Sequence, residues 1–308
     1  MYRIQIIVLI IIAFLSPFLY AGRALCWEVK RSEHAEVFYH EEDLSLAIRV
    51  SSLIERGYGR VAGRIGFFED VTVRVFLTSS DEEFNSMTGD VIPDWGVGCA
   101  LPERRVIILR HGGKVKLNEL VLHELSHILL WQATGGGRVP HWFNEGVAVW
   151  QSREWRMGQS ITMAKAVLLK QVIPLHEIDS MLSFSSSRAY LAYTESFLAL
   201  VYLFEIGGRG VLQRIAERML EGQDFDHALY EASGYLRDEF EKSWEGYVRR
   251  KYNPISILLD SFNLWLAIFA LFLIVYFIKR WRMKKILVQW EMEEEGSDGN
   301  EDVWSVIE

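Results

Sequence analysis

Cysteine is scarce in this chain, which has two, Cys26 and Cys99, among 308 residues. The pair could form one bridge in an oxidising compartment, but no dense disulfide framework is available to hold the fold. A basic surface is also lacking, because the formal net charge is −8, and this indicates no nucleic-acid partner. Disorder is excluded as well, since hydrophobic residues make up 50% of the chain.

An apolar run near the N-terminus, Ile6–Leu15, follows Arg3 and ends at Ser16 and Pro17. Small residues come soon afterwards. A basic start, a short apolar stretch and small residues are typical of a secretory signal. The pattern predicts a signal peptide over residues 1–21, with an uncleaved signal anchor as the alternative. In either case the residues that follow leave the cytoplasm.

A second apolar segment, Ile255–Ile278, lies near the C-terminus. As a helix it would rise about 36 Å, enough to cross a hydrocarbon core of about 30 Å with some tilt. Trp265 and Trp281 flank its most apolar part, and five basic residues follow within Lys279–Lys285. Because basic clusters mark the cytoplasmic side, the sequence predicts a single span with its C-terminal end inside.

These two segments predict the organisation of the chain. An extracytoplasmic domain over residues 22–253 would precede a transmembrane helix over 254–278 and a cytoplasmic tail over 279–308. The predicted location is therefore the cell membrane, with the domain outside. Residues 286–308 include acids and no base, which predicts a solvated, disordered tail and specifies no cytoplasmic partner.

Hydrophobic periodicity places strands before helices in the outer domain. The predicted strands are Glu36–His40, Val71–Leu77 and Val106–Leu109. The predicted helices are Asp43–Ile65, Asp81–Ser86 and Asn118–Gln132, with an almost wholly helical region from Pro140 onward. Residues 91–102 are rich in glycine and proline and predict a loop. Strands followed by helices indicate an α+β fold, with a sheet lobe and then a helical lobe.

The predicted central helix carries the segment HELSH, with His123, Glu124 and His127. Residues four apart lie on nearly the same helix face, so both imidazoles can bind one zinc ion. Glu124 lies about 100° around the helix from His123, where it can take a proton from a zinc-bound water. Burying these three groups in an apolar helix without a metal would be unfavourable, although hydrogen bonds could also satisfy them.

Glu145, in the segment PHWFNEGVAVW, is the candidate for the third ligand. Hydrolytic zinc sites commonly combine two histidines, one glutamate and a water. The alternative is a helix N-terminal charge favoured by the helix dipole. Together with HELSH, the segment favours the ligand interpretation, and the predicted cofactor is one zinc ion per chain.

HELSH followed by WFNEGVA resembles the gluzincin metallopeptidases, most closely the peptidase MA-like family. Weaker similarity extends over nearly all of the outer domain, from Glu36–His40 to DFDHALYEASG. The resemblance implies a two-lobed zincin-like fold, His123, His127 and Glu145 as zinc ligands, and Glu124 as general base. It also implies a tyrosine that stabilises the oxyanion. Tyr193 is the best match and Tyr190 is the rival, while a core tyrosine is the alternative.

Several positions depart from the patterns of related enzymes. Seventeen residues separate His127 from Glu145, one fewer than in the aminopeptidases. No GxMEN-like segment precedes the zinc helix, so exopeptidase activity lacks support. Val149 stands where a thermolysin-like enzyme has an aspartate, and Glu119 is a weak candidate for the role of orienting a histidine.

The sequence thus predicts a membrane-anchored zinc metallopeptidase, of endopeptidase type, that hydrolyses peptide or protein substrates outside the cytoplasm. The strand Val106–Leu109 is expected to pair with an extended substrate as an edge strand. Two alternatives stay open: a non-catalytic, metal-stabilised binding or assembly module tethered to the membrane, and a sensor that acts through its acidic tail. An intact Glu124 favours the enzyme, because a structural metal site needs no base.

Overall fold

The computed structural model describes residues 27–110, 112, 116–152, 157–253 and 262–301. Five strands are formed: β1 (Glu28–Arg31), β2 (Ala35–Tyr39), β3 (Val73–Leu77), β4 (Gly98–Leu101) and β5 (Val106–Leu109). The α-helices of the first half are α1 (Leu44–Ile65), α2 (Asp81–Thr88), α3 (Leu117–Ala133) and α4 (His141–Ser152). Those of the second half are α5 (Met157–Leu168), α6 (Ser186–Gly207), α7 (Val211–Leu220), α8 (Phe225–Ser233), α9 (Arg237–Lys251) and α10 (Phe262–Glu301). Short 3-10 helices cover Glu41–Asp43, Pro102–Arg104 and Leu175–Ser183.

The strands form one sheet in the order β1-β2-β3-β5-β4. Strand β2 is parallel to β3, and β3 is parallel to β5, while the outer strands β1 and β4 are antiparallel to their neighbours. The described helices far outnumber these short strands. A mixed α+β architecture, mostly helical with a small sheet, is therefore confirmed.

Helix α1 covers the sheet with an apolar stripe. Val50, Ile54, Val61 and Ile65 are fully buried, and their spacing puts them on one face of a helix. Gly66 ends the helix in the left-handed region, at φ +88°. The predicted helix Asp43–Ile65 is thus confirmed with a one-residue shift at its start, where a 3-10 turn precedes it.

The edge of the sheet differs from the prediction. Val106–Leu109 is a strand, β5, but it lies between β3 and β4, and all four of its residues are buried. The edge strand is β4, which pairs with β5 from Gly98↔Leu109 to Leu101↔Val106. Sequence reasoning predicted a loop there, because glycine and proline dominate the segment. Its strand conformation comes from pairing with β5, a contact that no local pattern reports.

Helix α3 packs against strands β4 and β5, α4 packs against α3, and α6 packs against α4. Helices α4 and α6 approach closely at Gly146 of α4, where an added Cβ atom would lie 2.5 Å from the Ser196 carbonyl oxygen of α6. Only glycine allows two backbones to come so close. This contact fixes the start of α4, and therefore Glu145, against the rest of the fold.

The described residues up to Arg250 belong to one compact unit, and those from Lys251 onward form a second. In the second unit, α10 runs for 40 residues, through part of the predicted span and most of the predicted tail. The disorder expected for the tail is therefore not found as far as Glu301. The large apolar side chains from Trp265 to Ile278 are all 36–64% exposed.

By length and composition, one described helix is apolar enough to cross a membrane, and it is α6. More than half of its apolar stretch is buried in the fold, as in the core helix of a globular domain. The C-terminal span remains a prediction. The signal segment, Cys26, residues 254–261 and the end of the tail lie outside the described residues.

Candidate metal centre

Helix α3 carries two of the predicted ligands in the interior of the protein. His123 and His127 are each 8% exposed, and their ring centroids are 4.9 Å apart. Glu124 lies between them in sequence and is 6% exposed. Thirteen of the seventeen helix residues are buried, so the helix is enclosed on almost every side. Such a helix holds its polar side chains in a fixed geometry.

Helix α4 brings the third predicted ligand to these histidines. Oε2 of Glu145 lies 3.3 Å from Nε2 of His123 and 3.7 Å from Nε2 of His127. One ligand atom from each of the three residues lies within 4.8 Å of the others. The structure therefore brings together three residues from two helices that the sequence separates by a loop.

This group has the chemistry of a metal-binding site. Two imidazole nitrogens and one carboxylate oxygen form a ligand set that zinc prefers. Oε2 of Glu145 is buried, and no described residue donates a well-aligned hydrogen bond to it. Burial raises the pKa of Glu145, but the imidazoles of His127 and His123 bring it below its usual value. An ionised, buried carboxylate without a donor is suited to a bound cation.

Asn144 positions the second histidine, a role that the sequence analysis missed. Nδ1 of His127 lies 2.9 Å from Oδ1 of Asn144. With that oxygen as acceptor, Nδ1 donates its hydrogen, and Nε2 keeps the lone pair that a metal requires. The sequence offered one indication of this role: Asn144 directly precedes the predicted ligand Glu145 at the start of α4, so both residues are placed together.

Glu124 lies against the edge strand. A Cβ atom added at Gly98 of β4 would be 2.5 Å from Oε1 of Glu124, so only the missing side chain leaves room for the carboxylate. The next residue, Cys99, has a free thiol. Burial and the charge of Glu124 raise the pKa of that thiol to about 11. Cys99 is therefore a neutral neighbour of the site. Cys26, with which it could form a disulfide, lies outside the described residues.

A cavity of about 300 Å³ opens beside His123 and Glu124. Both candidate tyrosines line it. The Tyr193 ring is half-buried, and its centroid is 6.0 Å from that of His123 and 6.4 Å from that of Trp95. Tyr190 is 45% exposed, one helical turn earlier. The geometry thus places Tyr193 next to a predicted ligand and Tyr190 nearer to the solvent.

Glu119, the candidate for orienting a histidine, is buried one turn before His123. Its Oε1 accepts a hydrogen bond of 2.9 Å from Nζ of Lys116. This lysine contact accounts for one carboxylate oxygen at the start of α3. The described contacts therefore give Glu119 a role in anchoring that helix end.

A second group of potential ligands, Glu33, His34 and Glu55, lies elsewhere on the molecule. Nδ1 of His34 is 2.7 Å from Glu55, and Nε2 is 3.5 Å from Asp70. Burial is the largest single cause and lowers the pKa of His34, but the hydrogen bonds and negative charges of the surrounding carboxylates, with Glu55 the largest contributor, together raise it above its usual value. Because carboxylates face both ring nitrogens, this histidine is suited to be a cation in an ion pair.

Comparison with known families gives one match. The sequence profile of the Peptidase MA superfamily matches residues 66–250. That is more than half of the 308 residues, and it includes both helices of the candidate site. A search of curated proteins finds no significant match.

Proposed function

The chain belongs to the Peptidase MA superfamily, whose metallopeptidase-like domain points to peptide or protein substrates, and on that premise we propose that it is a zinc-dependent endopeptidase of gluzincin type. One observation carries the proposal: His123, His127 and Glu145 converge in a buried group beside the carboxylate of Glu124. Three protein ligands leave one position of a tetrahedral zinc for water or substrate, as catalytic sites require. The fold is then a two-lobed zincin-like domain.

Each residue of the site has a distinct task in this proposal. Zinc held by His123, His127 and Glu145 would supply a Lewis acid that activates water and polarises the scissile carbonyl. Glu124 accepts the proton of the attacking water on its carboxylate and returns it to the leaving amine. Tyr193 donates its hydroxyl hydrogen to the developing oxyanion, since tyrosine stays neutral near pH 7.

Strand β4 provides the surface on which a substrate can extend. It is an edge strand, so its outer backbone groups can pair with a peptide in the manner of an added strand. Gly98 of this strand lies directly beside Glu124. A peptide bound along β4 would therefore pass in front of the group that moves the proton.

The test compares Glu124→Gln with Glu119→Gln, because both remove one buried carboxylate from α3. Zinc content and cleavage of a broad peptide library are measured on the purified chain. We expect Glu124→Gln to keep zinc and lose hydrolysis by about 10²-fold or more, because an amide cannot accept the proton. Glu119→Gln should keep most of its activity. A parent chain that holds zinc and cleaves nothing would instead indicate the metal-stabilised binding module.

We also propose that the domain is held at the outer face of a membrane by the segment 254–278, after export directed by residues 1–21. The exposed apolar side chains of α10 and the basic residues within Lys279–Lys285 support this topology. A reporter fused after Glu308 should be cytoplasmic, and protease added outside should digest the domain. A tail that is accessible from outside would reverse the assignment.

A further inference from the structure

A second, larger cavity borders the candidate metal centre. It has a volume of about 630 Å³ and is lined in part by His127 and Asn144. Its apolar surface comes in part from Leu130 and Trp131 of α3 and from Leu101 of β4. It lies along the C-terminal half of α3, whereas the 300 Å³ cavity lies along the N-terminal half beside His123. The two cavities therefore flank the ligand group along one helix.

Two arginines, Arg104 and Arg138, stand at the rim of the larger cavity. Both are exposed. Among the described residues, neither guanidinium forms an ion pair or a side-chain hydrogen bond. Glu103 is the only acid lining this cavity within the described part of the chain. The rim thus presents two free, permanently charged donors above an apolar wall.

A glycine turn holds the Arg138 side of this rim in place. Gly135 and Gly136 have φ values of +60° and +78°, in the left-handed region that favours glycine. A Cβ atom at Gly136 would be 3.2 Å from the Trp131 ring. The turn therefore packs directly on Trp131 and carries the chain to Arg138, two residues later.

Strand β4 connects the two cavities. Gly98 lines the smaller cavity, and Leu101 lines the larger one. Three residues of strand span about 10 Å. An extended peptide paired with β4, with its scissile bond at the metal, would therefore direct a side chain two or three residues away towards Arg104 and Arg138.

We propose that this arginine-rimmed cavity is the specificity subsite of the peptidase, and that it selects substrates with an acidic side chain two or three residues from the cleaved bond. This inference rests on the proposed function. A guanidinium binds a carboxylate through two parallel hydrogen bonds. The apolar wall formed by Leu101, Leu130 and Trp131 contacts the methylene groups of the same substrate segment.

The test measures binding separately from cleavage. The full-length Glu124→Gln chain is solubilised in detergent, loaded with zinc and titrated with fluorescent peptides that differ only in Glu, Gln or Lys at the selected position. The peptide ends are acetylated and amidated, so that the side chain is the only carboxylate. A fourth peptide, with Gln and a free C-terminus, tests whether a terminal carboxylate is the group that is recognised.

The variants are Arg104→Glu, Arg138→Glu and the double variant. Arg209→Glu is the matched control, because Arg209 is exposed and lies outside both cavities. We expect Glu to bind about 5-fold or more tightly than Gln, as for one or two exposed ion pairs, with a preference that weakens at high salt. The double variant should prefer Lys, while Arg209→Glu should keep the parent preference.

Equal binding of all the peptides, no binding by any of them, or a preference that survives the double variant overturns the proposal. Tighter binding of the free-C-terminus peptide than of the Glu peptide overturns the side-chain assignment. Cleavage assays on the parent chain distinguish a failure of the subsite proposal from a failure of the proposed peptidase function. Cleavage without charge preference rejects the subsite alone, whereas charge-selective binding without any cleavage rejects the catalytic function alone.

Discussion

Replacing Gly98 by alanine tests whether the Glu124 carboxylate must occupy its observed position. The new methyl group would lie 2.5 Å from Oε1 of Glu124 and 2.9 Å from Cδ1 of Leu120. Ordinary contacts begin near 3.4 Å, so the carboxylate must move by about 0.9 Å. Both contacting groups are ends of flexible side chains. The fold should therefore survive, with a loss of about 1–3 kcal/mol typical of overpacking.

The effect on catalysis should be much larger than the effect on stability. A displacement of about 1 Å at a reacting group can reduce the rate by about 10²-fold. Because Glu124 is not one of the three ligands, Gly98→Ala should retain zinc. We therefore expect turnover of a good peptide substrate to slow by about 10- to 100-fold, with little change in its KM.

The matched control is Gly57→Ala in α1. Its methyl group would clash with Leu122, on the same helix as Glu124 but away from the carboxylate. Unfolding in urea, zinc content and peptide hydrolysis are measured for both variants, with Glu124→Gln as the inactive reference. If Gly98→Ala hydrolyses peptides as fast as Gly57→Ala while binding zinc, Glu124 is not the proton carrier in this position.

Four further substitutions test separate parts of the site and fold. Asn144→Ala should weaken zinc binding by about 10- to 100-fold in chelator competition, because His127 loses its orienting acceptor; unchanged affinity would contradict this role. Tyr193→Phe should slow turnover by about 10- to 10³-fold and Tyr190→Phe should not, whereas the reverse would move the oxyanion donor by one helical turn. Burial raises the pKa of Glu195 to about 9, so its protonated form stabilises the fold fully below its ordinary pKa of 4.5, and this contribution is lost as the pH rises towards 9. Relative to the parent, the unfolding free energy of Glu195→Gln should therefore rise by up to about 1.4 kcal/mol per pH unit between pH 4.5 and about 9. If urea denaturation gives the variant and the parent the same pH dependence of unfolding free energy, the assignment is wrong.

Local patterns predicted the elements that build the centre of the site. Helix α1 and strand β3 lie where their apolar patterns predicted them, with small shifts at their first residues. The motif on α3 also implied which residues face a common point, because helix geometry alone relates His123 to His127. Such features depend on neighbours within a few residues, and the sequence reports these directly.

Where a feature depends on distant contacts, its prediction was wrong or was not made. β4 was expected as a loop because its strand conformation is imposed by β5. For the same reason β5 was taken as the edge strand. The role of Asn144 was missed because its partner His127 lies seventeen residues earlier. The cavity rim also escaped notice, since Arg104 and Arg138 meet only after the chain folds.

Because the ligands lie on both α3 and α4, a bound ion would crosslink these two helices. His127 and Glu145 are separated by a loop that includes the glycine turn, and an ion shared by them closes that loop as a disulfide would. An ion that binds only the folded chain stabilises it by about 4 kcal/mol at a thousand times its dissociation constant. Metal availability would then set the resistance of this loop to opening, and with it the lifetime of the Arg138 side of the rim that the loop supports.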